Sequence, residues 1–420
     1  MTDASSAQPL PQRLPERPPA AAEDPSWLQI VWGQFKKRKI PYYSMWGVFG
    51  LFLIAVYAPV FISNKPFVWN GGDGLEFPWL TTLFNRNTYE NAIDIFFNSL
   101  LLPGTLLIVP VAVVWRRTAG RPRRARIAAR QRAMLGAFGA WAVALVALLA
   151  FPLQAPTPVY PEVEATLEAA GTPVTAVYAP VPYSYRGTDI SKAMEGPSTE
   201  HLLGTDGAGS DVFARMVFGT RVSLTVGIFA VLLYITVGTV VGAVAGFFGG
   251  RLDTLLMRIV EVVICIPSLF LVLSVAAFIP ERSIFHIMLI IAAVAWTGPA
   301  RLVRAEFLRL RELDFVAAAR ASGFGKASII FEEILPNALG PVLVSATFGV
   351  ASAILVESTM SFLGLGDISV PSWGQILATG RQTSSWTLIL APGFAIFLTV
   401  SLLNLLGEGV RDALDPKLRS

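Results

Sequence analysis

Three observations predict an all-α, polytopic membrane protein of about eight spans. The 420 residues are 54% hydrophobic and only 15% charged, with a mean hydropathy of +0.58, far from the balance of a soluble domain. The apolar residues gather into long charge-free stretches, near the roughly 20 residues a helix needs to cross a hydrocarbon core of about 30 Å. Lysine and arginine cluster between those stretches in an alternating pattern, as expected of cytoplasmic connections.

The elements follow in order. Residues 1–25 are polar and proline-rich and read as a disordered tail, not a secretory signal; with Lys36, Lys37, Arg38 and Lys39 they make a basic cytoplasmic N-terminus, 1–39. The region 40–153 holds a first span, Ile40 to Asn64, and an additional hairpin of spans, Ile95 to Trp115 and Ala133 to about Leu153. Between the hairpin's arms lie eight arginines, from Arg116 to Arg132. No aromatics alternate with them, so they read as topogenic charge in contact with anionic lipid, not as a nucleic-acid patch. An external loop, 154–218, is rich in proline and tyrosine and poor in basic residues. The remaining spans run Val222 to Gly250, Val262 to Pro280, Ser283 to Ala300, Ile334 to Val356 and Gln382 to Gly407, within a core domain of 219–410. Eight crossings return the 411–420 tail to the basic, cytoplasmic side, together with the connection at 301–333.

Covalent chemistry finds little support. The two histidines, His201 and His286, are far apart in sequence; no HExxH, no GxSxG and no metal-ligand spacing occurs, so neither a catalytic nor a metal site is expected. The segment "GFGKAS" at 323–328 fails as a phosphate loop because Ala327 follows the lysine. The lone Cys265 reads as a small buried hydrophobe. Of the charges near spans, Arg258 and Glu261 read as a helical ion pair, and Glu357 as a residue of a translocation path, of a contact with a partner subunit, or of a structural hydrogen bond. Asp206 and Asp211 read mainly as caps of a short interfacial helix, with contact to an external protein as the alternative. Gly242, Gly246, Gly249 and Gly250 suit close helix approach or a tight turn.

One stretch breaks the apolar pattern. In "DFVAAARASGFGKASIIFEEILPNALG", residues 314–340, Asp314 reads as an N-cap, Ala317, Ala318, Ala319 and Ala321 supply helix propensity without bulk, and Gly323 reads as the C′ residue of a reversal. A second helix of about 326–335 ends at Pro336. Such a bare helix at the cytoplasmic face suits seating in a groove of another protein, or serves as a plain amphipathic connector.

The pattern A-A-x3-G followed by I-L-P-N resembles the cytoplasmic coupling motif of permease subunits in bacterial ATP-binding-cassette importers. Carried over, Asp314, Ala317, Ala318, Ala319, Gly323, Leu335, Pro336 and Asn337 make up the ATPase-coupling segment, within 312–337; Ala317 stands where glutamate is usual. "HLLGTDGAGSDVFARMVFGTRVSL" (201–224), "GFFGGRLDTLLMRIVEVVICIPSLFL" (246–271), "ESTMSFLGLG" (357–366), "PSWGQIL" (371–377) and "LLGEGVRDALDPKLR" (405–419) resemble the C-type permeases for dipeptides, oligopeptides and nickel, with Ser210 in an arginine position.

The resemblance covers 200–420. It implies a type I importer permease fold, with a six-helix-type core plus the extra hairpin, in the bacterial cytoplasmic (inner) membrane. It also implies a second permease subunit, two ATPase subunits holding ATP and Mg²⁺, an external substrate-binding protein and no cofactor on this chain. The cargo implied is peptide, with nickel or other small solutes as the alternative. A secondary transporter would show inverted repeats and mid-membrane ionisable groups, and a membrane enzyme would show a nucleophile or metal constellation.

Overall fold

The computed structural model describes residues 27–414 apart from Asp73, Pro280 and Glu281. The tail 1–25 and the basic Lys417 and Arg419 lie outside the described residues. A short helix, α1 (Trp27–Lys37), precedes the first span, α2 (Lys39–Phe61). The added hairpin consists of α4 (Ala92–Arg117) and α5 (Arg123–Ala150), after a one-turn α3 (Pro78–Thr82). In α4 the turn Leu100–Gly104 is widened to π type around Pro103, which spares the proline ring a clash with a preceding carbonyl.

The loops on one side of these helices build a small lobe. Strands β1 (Val68–Asn70), β2 (Leu75–Glu76) and β3 (Thr175–Val177) form an antiparallel sheet in the order β2-β1-β3, with Trp69 opposite both Glu76 and Ala176. Helix α6 (Tyr160–Ala169) covers it, placing Tyr160 edge-on to Trp69 at 5.0 Å. The predicted long external loop is therefore an ordered cap.

The core is organised around α7 (Val212–Phe248), whose 37 residues span about 55 Å at 1.5 Å per residue. That is longer than any bilayer core, so its first turns belong to the lobe side. Two bent pairs follow: α8 (Gly250–Cys265) with α9 (Ser268–Ala277), broken by 82°, and α10 (Ile284–Ala295) with α11 (Thr297–Leu310), bent by 43°. Then come α12 (Asp314–Ala321), α13 (Lys326–Phe362), α14 (Trp373–Thr383) and α15 (Trp386–Leu414).

Several expectations change. The fifth stretch, Val262 to Pro280, is not one straight crossing: Ile266 is extended (φ −93°, ψ 126°) because a residue before proline is pushed out of the helical region, and Pro267 starts a ten-residue helix in a new direction. The sixth stretch bends at Trp296, just before Pro299 deprives the Ala295 carbonyl of its donor. The helix that was to end at Pro336 runs on into the span. A π-type turn over Ile329–Ile334 widens the backbone immediately ahead of that proline. Cys265 is exposed on α8, not buried.

Among the described residues six helices are long and apolar enough to cross a membrane, or eight with each bent pair taken as one span. Arg38, at the start of α2, pairs with Asp412, near the end of α15, at 3.2 Å. The two ends therefore share one face, and the number of crossings is even.

Candidate functional site

The segment singled out by sequence forms a compact unit on the face that carries Arg38 and Asp412. Helix α12 starts one residue earlier than a cap at Asp314 requires. Leu313 occupies the N-cap position and Asp314 is the first helical residue. The carboxylate of Asp314 makes no hydrogen bond among the described residues; its place in the first turn still favours the helix dipole. The other end closes as expected of Gly323, whose φ is +81°. The Phe324 amide donates to the Ala319 carbonyl at 3.1 Å and the Gly323 amide to Arg320 at 3.0 Å, a Schellman closure.

The helix has two unlike faces. Val316 and Ala319 are buried with Phe307, Leu310, Ile329 and Ile334 in one apolar cluster, while Asp314, Ala317, Ala318 and Ala321 are exposed. Positions 314, 317, 318 and 321 share one side of a 3.6-residue helix. The carboxylate of Asp314 thus stands one turn from Ala317, on the same open face. Leu335 packs at the edge of the cluster; Pro336 and Asn337 are exposed, with the Asn337 side-chain amide donating to the Glu333 carbonyl at 2.7 Å.

What lies behind the segment is a rigid brace. Arg304 on α11 makes a bidentate pair with Asp253 on α8, at 2.5 and 2.7 Å, and Arg311 donates to the Gly246 carbonyl at 2.8 Å. Helices α7 and α11 touch backbone to backbone: a Cβ at Gly238 would lie 2.6 Å from the Trp296 carbonyl oxygen, and one at Gly246 would lie 2.6 Å from Phe307 Cβ. Gly242 closes on Ala300 and Val303 in the same row. Gly249 and Gly250 turn the chain with φ of +66° and +58°. Sequence reasoning named the last two of the three glycines in the row and both turn glycines. It missed Gly238, which precedes Gly242 by one more step of four, and the Asp253–Arg304 pair, whose partners are 51 residues apart.

At the opposite end, a fully enclosed charge ties the hairpin to the core. Arg221 of α7 is 1% exposed; it donates to Asp94 at 2.8 Å, to the Asn98 side chain at 2.9 Å and to the Ala55 carbonyl at 2.8 Å. The Tyr185 hydroxyl takes the other carboxylate oxygen of Asp94 at 2.8 Å. Charges in such surroundings persist only when every valence is met. Neither residue falls inside a predicted span, because the charge-free stretches begin at Ile95 and Val222, one step past each charge. The spacing of Asp94 and Asn98, four apart on a helix, was the available signal.

The remaining motifs converge nearby. Trp373 is buried and donates to the Met216 carbonyl at 3.0 Å, and Ser372 caps α14 by accepting from Gln375 at 3.2 Å. Arg215 joins Gln375 to Asp206. Glu357 is enclosed at 1% exposure, receiving the Ser361 hydroxyl at 2.8 Å. Asp211 caps α7, accepting from the Ala214 amide at 2.7 Å, and also accepts from His201 Nδ1 at 2.8 Å. Arg258 and Glu261 form the expected exposed pair at 2.7 Å. Among the described residues no group of three or more His, Cys, Asp or Glu side chains is placed to hold a metal ion.

Comparison with known proteins places these features in a family. Residues 238–420 match the model for "binding-protein-dependent transport system inner membrane component". The dipeptide transport system permease protein DppC of Alkalihalophilus pseudofirmus is 42% identical over 251 residues, 58% of this chain and 82% of that protein. The oligopeptide transport system permease protein OppC of Haemophilus influenzae is 41% identical over 244 residues, covering 57% and 78%. A glutathione transport system permease protein, GsiD of Pectobacterium atrosepticum, is 38% identical over 235 residues, covering 55% and 78%. The alignable length in each is close to the 200–420 stretch that carries the motifs, and the brace, the Schellman-closed helix and the buried Glu357 all fall within it. The chain belongs to the inner-membrane permeases of binding-protein-dependent ABC importers, beside the C-type subunits of the peptide systems.

Proposed function

We propose that this chain is one of two permease subunits of a peptide importer, and that α12 is the surface on which an ATPase subunit docks. The single observation that carries the coupling role is the two-sided character of α12. One face is small, exposed and closed by a left-handed glycine; the other is packed on α11 and α13. A docked ATPase pressing on the open face moves α12 together with the brace, because Asp253–Arg304 and the glycine contacts leave no slack between α8, α7 and α11. Asp314 supplies a negative charge one turn from Ala317, the position at which the resembled coupling motif usually has glutamate, and so meets a basic residue of the ATPase.

In this reading ATP and Mg²⁺ are bound by the partner subunits, the termini face the cytoplasm, and cargo arrives from an external binding protein on the side of the sheet-containing lobe. The relatives' names favour dipeptides, oligopeptides or glutathione as the cargo class. Glu357, enclosed among Ser358, Ser361 and the α14 cap, acts on the path from behind the wall by holding α13 in register.

The test is Gly323→Trp in the assembled transporter. The variant should insert and copurify with the second permease, yet lose ATP-dependent peptide uptake by about two orders of magnitude, since an indole on the docking face prevents seating. Normal uptake would remove the coupling role from this helix. Asp314→Ala should weaken ATPase retention by about threefold to tenfold, read by titrating the ATPase onto the permease pair in lipid nanodiscs.

A further inference from the structure

The lobe side of the molecule carries a polar pocket that the coupling mechanism does not use. It has a volume of about 200 Å³ and is walled by Asn64, Tyr183, Thr188, Asp189, Lys192 and His201, among others. His201 is 2% exposed. Its Nδ1 donates to the carboxylate of Asp211, which is itself fixed by capping α7. In the neutral ring that bond leaves Nε2 as a lone-pair acceptor, and Nε2 is buried without a hydrogen-bond partner. The Tyr183 ring lies against the imidazole, centroids 4.4 Å apart.

The charge around this pocket is one-sided. Asp189 and Asp211 line it, with Glu195 and Glu200 near the Tyr183 wall, and the lining lysine, Lys192, is already paired with Glu200 at 3.0 Å, as the neighbouring Arg186 is with Glu90 at 2.5 Å. An acceptor nitrogen under an acidic rim calls for a positively charged hydrogen-bond donor. The volume falls short of the roughly 300 Å³ at which pockets for whole small molecules begin, and it suits the end of one long side chain, the arrangement of an interface anchor.

We infer that this pocket receives a lysine or arginine side chain of the external substrate-binding protein and fixes where that protein docks. The inference rests on the importer reading above. It adds to that reading a named pocket and the chemistry of the residue that fills it.

The experiment uses the complete transporter in nanodiscs and the binding protein identified by cross-linking to it. Affinity is measured without cargo by fluorescence anisotropy, for wild type, Thr188→Ser and Thr188→Trp. Thr188 is an exposed rim residue, so the indole fills the pocket without disturbing the interior. Thr188→Trp should weaken docking at least about tenfold and Thr188→Ser should leave it near wild type. A lysine- and arginine-to-alanine scan of the binding protein should find one position whose loss is not additive with Thr188→Trp. His201→Gln serves as a second variant and should also weaken docking.

If wild type binds and Thr188→Trp binds equally well, the pocket is not the anchor, although the importer reading stands. If docking is unchanged while KM rises only for cationic cargo, the occupant is the cargo and the inference is overturned. If the wild-type transporter engages no binding protein at all, the importer reading fails, and this inference with it.

Discussion

Arg221 shows how one residue joins two parts of the chain. Its guanidinium is shared among Asp94, Asn98 and the Ala55 carbonyl, with the Phe218 and Phe97 rings on its faces at 4.9 and 5.3 Å. Removing one partner of such a pair strands the other, at a cost of about 3–5 kcal/mol. Asp94→Ala should therefore lower the thermal unfolding temperature sharply in detergent. The double variant Asp94→Leu/Arg221→Met should recover part of the loss: no charge is left stranded, but the Tyr185 hydroxyl and the Asn98 side chain lose their partners. Recovery no better than the single variant would mean the pair does more than satisfy itself. At Gly323 the limitation is conformational, since a Cβ there meets nothing within 4 Å. Gly323→Ala should cost about 1–2 kcal/mol from the left-handed backbone alone, measurable as a modest fall in melting temperature while ATPase docking is kept.

At the scale of elements, the contact between α7 and α11 sets the spacing of the core. Gly238, Gly242 and Gly246 lie along one stripe of α7, at intervals of four, and face backbone or Cβ atoms of α11 at distances where no side chain fits. Gly242→Val should separate the two helices and loosen the Asp253–Arg304 pair. The expected result is a loss of about 2 kcal/mol or more, with engineered cysteines across α7 and α11 no longer cross-linking efficiently. Unchanged cross-linking would show that the helices tolerate a wider spacing. Element α12 illustrates the complementary point: its short length gives little intrinsic stability, and it holds because Val316 and Ala319 are packed into the cluster around Phe307.

At the scale of the whole molecule, the hairpin of α4 and α5 behaves as an insertion with closed ends. The Asn85 side-chain amide donates to the Ala155 carbonyl at 2.7 Å and the Arg86 amide to Leu153 at 2.8 Å, so the chain leaves and re-enters the lobe at neighbouring points. Helix α5 contributes no buried residue to its own apolar span; its principal polar tie is the Trp141 indole donating to Ser99 at 3.0 Å. Replacing residues 92–150 with a short polar linker also removes Ile93, Ile95, Phe97 and Leu101 from the apolar clusters, so the excised chain should melt below the full chain even with Arg221→Met, and lower still without that change. With Arg221 retained, the excised chain should aggregate on extraction from the membrane, as size-exclusion chromatography would show.

Much of this architecture was legible in the sequence. The all-α membrane class, the even parity, the motif order, the left-handed glycine and the Arg258–Glu261 pair all rest on local composition, on periodicity or on residues close in the chain. The extra hairpin was legible too, because a span announces itself by length and lack of charge. Helix breaks were partly hidden: Pro267 and Pro299 were visible, yet whether a proline bends a helix by 82° or 43° depends on what packs beside it. Pairing was decided only in three dimensions. Asp253 finds Arg304 across 51 residues and Arg221 finds Asp94 across 127, and no local pattern records which buried charge meets which. The sequence determined that α12 would be a small, bare helix closed by glycine. Tertiary structure alone decided which face it shows, because burial of Val316 and Ala319 against α11 and α13 turns Asp314, Ala317 and Ala318 outward.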